Sequence, residues 1–361
     1  YPLRIHRPYG RNRKGGYGMA TIREIAKACG VSISTVSNVL NNKSNVGEDT
    51  RQKILDTAKE MAYIPNYMAK NLKLKTTKTI GIITEDLTVF NCAEIVDGIH
   101  EFFDEHGYTF LLGNLRLYKK YDNEFYHRDV YKKQVDTELN KMKAKQVDGI
   151  IYIGAHCRKI NYIPQGFPIP LVLAYSFCSN PDIPSVIFDD EEAAYQATSA
   201  LIKNGNRKIG VSAGELSSLH TKERINGYKR ALGDAGIPFR RNLIQEGNWN
   251  KTQSICACKT LMDEAVTAIF AMNDIMAGGV YEFTAREELK VGTDLDLIGF
   301  DNREVAQAYN PTLTTMKLPL NRIGRKAAEI MINILENGRE SIQKNLYKIN
   351  CELIIRDSLR K

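Results

Sequence analysis

Thr21-Ile22-Arg23-Glu24-Ile25-Ala26-Lys27-Ala28-Cys29-Gly30-Val31-Ser32-Ile33-Ser34-Thr35-Val36-Ser37-Asn38-Val39-Leu40-Asn41 carries the start and stop signals of two short helices. Thr21 and Glu24 form a T-x-x-E capping box, which satisfies backbone donors that a helix start leaves open, and Gly30 suits the left-handed residue that ends the helix. Val31 then leads to Ser32 as the next N-cap. From Ile33 to Leu40, the residues Val36, Val39 and Leu40 fall on one face at i, i+3, i+4 spacing. Two such helices joined by a glycine-containing turn predict a helix-turn-helix. A third helix, from about Glu48 to Ala62, is expected to bury Ile54, Leu55, Ala58 and Met61 and so close a small three-helix core. The outward face of the second helix shows Ile33, Ser34, Thr35, Ser37, Asn38 and Asn41. Hydroxyl and amide groups there can bond phosphates and base edges in a major groove, although the same residues also suit a solvated surface.

The charge separates the two uses of that face. The 361 residues carry a formal net charge of +8. Residues 1–18 hold five Lys/Arg and no acid, residues 19–75 hold nine Lys/Arg against five acids, and the remaining chain sums to −1. All the positive charge therefore lies at one end, as expected of a nucleic-acid-binding head on a near-neutral body. Residues 1–18, rich in Gly and Arg and without hydrophobic period, read as a disordered leader or upstream sequence outside the fold, with a basic minor-groove arm as the alternative.

After the third helix, Tyr63-Ile64-Pro65-Asn66 is a stop, and residues 66–73 can form about two helical turns. A helix that short is marginal in water alone and needs a partner, which a second copy of the chain and DNA would supply.

With 43% hydrophobic and 25% charged residues the chain is too apolar to be disordered. No stretch approaches the roughly 18 to 20 apolar residues of a membrane span, and no signal-peptide core is present, so a cytoplasmic protein without membrane association is expected. Seven scattered cysteines do not suggest a disulfide framework and suit a reducing compartment.

From Thr79 onward, short apolar runs alternate with amphipathic stretches. Residues 80–83, 109–112, 149–153 and 171–173 read as buried parallel strands, with helices at about 93–106 and 134–145 between them. The pattern restarts at 208–212, 243–244, 268–271 and 295–300. Two successive series predict two α/β lobes. Such lobes bind ligands at the carboxyl ends of their strands, which here would face each other across a cleft. On the first lobe, the loop after the first strand offers Glu85 and Phe90.

Thr21-Ile22-Arg23-Glu24-Ile25-Ala26, Gly30-Val31-Ser32, Thr35-Val36-Ser37, Val39-Leu40-Asn41 and Tyr63-Ile64-Pro65-Asn66 together resemble the lactose-repressor (LacI/GalR) family of bacterial transcription regulators, over about residues 20–358. The resemblance implies a cytoplasmic homodimer whose second helices read two half-sites of a palindromic operator in double-stranded DNA. It assigns operator contacts to Thr21, Ile22, Ser32, Ile33, Ser34, Thr35, Ser37, Asn38 and Asn41. It adds Tyr63, Asn66, Ala69, Leu72 and Lys73 around a hinge helix, with Leu72 wedged into the minor groove. Asn38 departs from the family, which usually has Arg there. Arg favours guanine and Asn suits adenine, so the outer operator bases are expected to differ.

For the body, the resemblance extends to periplasmic sugar-binding proteins. It implies an effector between the lobes, held by Arg224, Asn273, Asp301 and Trp249, the only tryptophan. Carboxylate, amide, guanidinium and indole groups suit the hydroxyls and C–H face of a sugar or sugar derivative. The alternatives are a structural ion pair between Arg224 and Asp301, and core packing for Trp249. Several sugar-binding relatives have an acid where this chain has Ala174 followed by Tyr175, which makes Tyr175 a candidate contact and argues against a simple hexose. The expected plan is a leader at 1–18, a head at 19–64, and a hinge and linker at 65–78. The body at 79–361 would have one lobe at about 79–180 and 319–345 and the other at about 181–316 and 346–358.

The enzyme-like motifs in the chain are incomplete. Gly210-Val211-Ser212-Ala213-Gly214 matches a nucleophile elbow, but no histidine follows His220 to complete the hydrolase order. Cys256 and Cys258 lack zinc spacing, His100 and His106 fall on different helical faces, and Gly278-Gly279 makes no phosphate loop. Neither metal nor cofactor is expected. The leading expectation is an effector-controlled repressor that is not an enzyme. The alternative from another class is a solute-binding or small-molecule-processing α/β protein with an accessory head.

Overall fold

The computed structural model describes residues 20–41, 43, 45–63, 76–122, 124–128, 130–160, 162–164 and 166–360. Contacts divide the chain into a unit ending at Thr76 and a unit beginning at Thr77.

In the first unit, α1 (Ile22–Cys29), α2 (Ile33–Leu40) and α3 (Glu48–Glu60) pack around Ile25, Ala26, Cys29, Val36, Val39, Ile54 and Ala58. The capping box forms as expected: the Thr21 N–H donates to Glu24 Oε2 at 2.7 Å and the Glu24 N–H to Thr21 Oγ1 at 3.3 Å. Gly30 ends α1 in the left-handed region at φ 68°, where a side chain would be strained. Leu55 corrects the expected core: it is 40% exposed, because it lies about 100° around α3 from Ile54, while Ile54 and Ala58 share the buried stripe.

The second unit holds two six-stranded sheets. The first has order β11-β5-β4-β3-β1-β2 and is parallel throughout, with β1 (Thr79–Thr84), β2 (Thr109–Asn114), β3 (Gly149–Ile153), β4 (Leu171–Ala174), β5 (Ser185–Phe188) and β11 (Leu346–Ile349). Strands β3, β4 and β5 are buried on both faces, which is why they read as unbroken apolar runs. The second sheet has order β12-β10-β9-β8-β6-β7. It comprises β6 (Ile209–Ala213), β7 (Ile244–Glu246), β8 (Ala268–Ala271), β9 (Asp296–Asp301), β10 (Thr314–Lys317) and β12 (Glu352–Ile354), with only β12 antiparallel to its neighbour. The strand expected at 243–244 begins one residue later, after a 3₁₀ turn at Arg241–Leu243.

The chain crosses between the sheets three times. After β5 it enters helix Asp190–Lys203, which packs on the second sheet. After β10 it enters helix Leu320–Asn337, which lies along helix Cys92–His106 of the first lobe, with Arg325 paired to Glu101 and Glu105. After β11 it returns to β12. The expected lobe boundaries near 180 and 345 are therefore corrected: residues 185–188 and 346–349 belong to the first sheet. Leu346–Ile349 alternates exposed and half-buried residues at a sheet edge, and its parallel partner, β5, is some 160 residues away in sequence, so no local pattern announces the pairing. Among the described residues, no helix is long and apolar enough to cross a membrane.

Candidate functional site

On the head, α2 buries Val36 and Val39 and leaves Ile33 and Ser34, with its cap Ser32, exposed. Ser32 caps the helix: its Oγ accepts the Thr35 N–H at 3.1 Å and lies 2.7 Å from Ser34 Oγ and 2.8 Å from Thr35 Oγ1. Asn41 Nδ2 donates back to Ser37 O at 2.7 Å. Thr21 is engaged in the capping box, Ile22 packs half-buried against the head core, and Thr35, Ser37 and Asn38 are half-buried. Ile33, at the first helical position, stands 49% exposed. Tyr63 rests against the three-helix core, with its N–H on Ala58 O at 2.9 Å. Asn66, Ala69, Leu72 and Lys73 lie outside the described residues.

In the body, the carboxyl ends of the parallel strands converge on a buried polar cluster around Arg224, whose other members, Asp190 and His220, the sequence reading did not include. Asp190, the first residue of its helix, accepts from Arg224 Nε at 2.6 Å and pairs with His220 Nδ1 at 2.6 Å. All three side chains are buried. Burial alone would raise the Asp190 pKa, but His220 and Arg224 outweigh it and hold this carboxyl below its ordinary value. The Arg224 guanidinium sits 3.5 Å from the Phe300 ring centroid and 5.6 Å from that of Trp249, and donates to Met272 O. Arg224 is thus ion-paired as the structural alternative supposed, with Asp190 in place of Asp301 as its bonded partner.

Asp301, at the end of β9, behaves oppositely. Burial pushes its pKa up to about 8, against the pull of Arg224, so it is largely protonated at neutral pH. Tyr175 is buried after β4, and burial, with Asp301 nearby, pushes its phenol well above the ordinary value. Asn273 caps helix Asp274–Arg286, accepting the Met276 N–H at 2.6 Å and donating to Trp249 O at 3.3 Å. Its amide thereby ties the Trp249 loop to the end of β8. Trp249 in turn lies against Gly214, where an added Cβ would fall 2.1 Å from the indole.

A second indication comes from the backbone. Tyr175, Asn248, Trp249, Asp301 and Asn302 all have positive φ, from 46° to 102°. Non-glycine residues at such angles carry strain that the surrounding fold must overcome, and such strain gathers at ligand sites. These five of the twelve such non-glycine residues among the described ones stand at the ends of β4, β7 and β9; the other seven are spread from Ala62 to Glu288.

The first-lobe candidates divide. Glu85 is buried and bonds within its own lobe: it accepts from Tyr152 OH at 2.9 Å, the Ala155 N–H at 2.8 Å and Arg158 at 2.6 Å. That position suits holding the loop after β3, which carries His156. Phe90 is exposed, with the Arg303 guanidinium 5.1 Å from its ring centroid. It shares with Asp301, Arg303, Lys317 and Leu320 the lining of a cavity of about 530 Å³.

The lobes also meet through aromatic rings. His220, from the second lobe, stacks parallel on Phe188 at 5.6 Å and lies edge-on to His156 at 4.5 Å. Burial and the neighbouring His220 and Arg224 drive the His156 pKa well below its ordinary value, leaving it neutral. Ser212, by contrast, bonds Ser254 Oγ at 2.8 Å, while His220 is committed to Asp190, so the elbow-like sequence forms no Ser–His pair. The structure thus places Arg224, Trp249, Asn273, Tyr175 and Asp301 at the strand ends, sets Phe90 in the lining of the neighbouring cavity, and leaves Glu85 bonded within the first lobe. Asp190, His156, His220 and Phe188 were missed; the available signal was the apolar run 185–188 ending in Asp189-Asp190, a strand end like those used for the other candidates.

Comparison with known proteins agrees with both units. The description "Bacterial regulatory proteins, lacI family" matches residues 21–66, and "Periplasmic binding proteins and sugar binding domain of LacI family" matches residues 77–357. The HTH-type transcriptional repressor PurR of Vibrio parahaemolyticus is 32% identical over 347 residues, covering 95% of this chain and 99% of that protein. Catabolite control protein A of Priestia megaterium is 33% identical over 345 residues, covering 94% and 99%. Among solved structures, the lac repressor dimer bound to operator and the anti-inducer ONPF superposes with TM-score 0.72 at 24% identity, covering 95% of this chain and 100% of that one, which bears on the fold alone. The transcription regulator CcpA of Lactococcus lactis superposes with TM-score 0.62 at 29% identity, covering 78% and 99%. Helix-turn-helix head, two-lobed body and full-length relatives agree, and the chain belongs to the lacI family of bacterial regulatory proteins, DNA-binding regulators of transcription.

Proposed function

We propose that this chain is a cytoplasmic, homodimeric repressor that binds a palindromic operator and whose affinity for it is set by a small molecule held between the two lobes. The reading is non-enzymatic. The observation that carries it is the pairing, in one chain, of a helix-turn-helix head with a buried Asp190–Arg224 ion pair beside the half-buried Trp249 and Asp301, both at positive φ, at facing strand ends. Relatives named as transcriptional repressors along almost their whole length support it. A sugar or sugar derivative suits the cluster: the protonated Asp301 and the Asn273 amide can bond hydroxyls, and Trp249 offers an indole face. The ligand acts by making different contacts in open and closed forms, so it shifts the interlobe angle and with it the spacing of the two hinge segments. Leu72 on each hinge is the proposed wedge at the operator centre.

The test is operator binding with and without ligand. A duplex selected from a random library by the full chain should show log K falling steeply with log salt, as phosphate neutralisation requires. Thermal-shift screening against sugars, sugar phosphates and nucleobases supplies the ligand. That ligand and the operator must change each other's affinity by the same factor, about 5- to 150-fold for typical coupling. Asp301→Ala should abolish the ligand response and leave ligand-free operator binding nearly intact. A chain with no salt-dependent duplex binding would instead be the solute-binding alternative.

A further inference from the structure

The start of α2 is crowded with hydroxyls, yet they face one another. Ser34 and Thr35 both lie within hydrogen-bond distance of Ser32 Oγ, at 2.7 and 2.8 Å, and Ser32 also accepts the Thr35 N–H. The side chain left projecting from that turn is Ile33, 49% exposed. It is not part of the head core, which Ile25, Val36, Val39, Ile54 and Ala58 fill. Around it the surface is polar, and the segment from 19 to 75 carries a net +4, so the partner that covers Ile33 is anionic and the group that touches it is apolar. In a helix-turn-helix, the first residues of the second helix are the ones that meet base edges. A branched alkyl side chain offers no hydrogen bond, so against a guanine, adenine or cytosine edge it would only desolvate polar atoms. The one methyl group in the major groove, and its largest apolar feature, is the C5-methyl of thymine.

We infer that Ile33 reads the 5-methyl group of a thymine, and that each operator half-site carries one thymine recognised by this contact. The inference rests on the regulator reading above. β-Branching helps: Ile33 is stiff at χ1 in a helix, so its γ-methyl group is held in place with little ordering cost on binding.

The experiment uses the full chain and the duplex it enriches from a random library. Each thymine is replaced in turn by uracil, which removes only the methyl group and keeps the base pair. One thymine per half-site should respond, binding falling about fourfold for one replacement and about fifteenfold when both half-sites are changed, the value of one and two buried methyl groups. Ile33→Ala should bind the thymine duplex more weakly and show no further loss with uracil at that position; Ile33→Val, still branched, should retain most of the sensitivity. Because thymine and uracil duplexes are compared on the same protein, any folding defect of a variant cancels. If no thymine responds, or if Ile33→Ala keeps the wild-type response, the inference is overturned while the regulator reading stands. If no duplex is enriched at all, both fall.

Discussion

Replacing Asp190 with Asn probes the centre of the body. The carboxylate is the hydrogen-bonded counter-charge of Arg224, which is only 4% exposed, and it also holds His220. Removing one partner of a buried ion pair leaves the other charge uncompensated and typically costs about 3 to 5 kcal/mol. Two features place this case at the low end. The guanidinium keeps its contact with the Phe300 face at 3.5 Å and its bond to Met272 O. The nearby Asp301, held up to about 8 by burial, can also ionise once Asp190 is gone. We therefore expect a loss of about 3 kcal/mol at pH 7, a large share of the roughly 5 to 15 kcal/mol by which folded domains are stable. Urea unfolding followed by fluorescence measures it in the right unit, because Trp249 is the only tryptophan and sits 5.6 Å from the guanidinium. The pH dependence is also set. Asp190 is held below its ordinary value, so its contribution is complete above roughly pH 4 and is lost as pH falls through the lower folded value. The gap between wild type and variant should therefore narrow as pH falls through that acid range. Adding Arg224→Met to Asp190→Asn should cost less than the sum of the single changes, since no buried charge is then stranded. A loss below about 1 kcal/mol at pH 7, where a buried pair should cost several times more, would show that this network does not hold the second lobe.

Asn38→Arg should shift the base preferred at the outer operator positions from adenine toward guanine, by about 1 to 3 kcal/mol of discrimination; parallel selections with the two proteins should return different consensus sequences. Asp301 titrates in the folded chain near 8, above its unfolded value, so its contribution to stability is complete below about pH 4 and declines as pH rises through 8. Asp301→Asn should flatten that decline in urea unfolding series from pH 4 to 9. Gly214→Ala places a methyl 2.1 Å from the indole and must displace Trp249, which should change the intrinsic fluorescence maximum and weaken any ligand that the loop holds.

Much of the head was written locally. The Thr21–Glu24 box, the Ser32 cap, the Gly30 stop and the Val36–Val39 stripe involve residues no more than four apart, and the helix they dictate is the one observed. The apolar runs of the central strands were equally legible, because a strand buried on both faces cannot alternate. Leu55 is exposed, which was not legible because a hydrophobic residue beside a buried stripe looks the same in sequence whether it faces the core or solvent; only the placement of α1 and α2 against α3 decides. The limit was sharper in the body. Asp190 meets His220 and Arg224 from 30 and 34 residues away, and it can do so only because the chain leaves the first sheet at β5, a crossing that no residue near it marks. The positive φ angles at Tyr175, Trp249 and Asp301 likewise belong to strand ends held from several sides at once. Sequence alone specified which local structures form and which residue types stand at the ends of the recognised strands. Which of those residues pair, which are strained and which carboxyl keeps its proton depended on burial among distant segments, which only the tertiary structure sets.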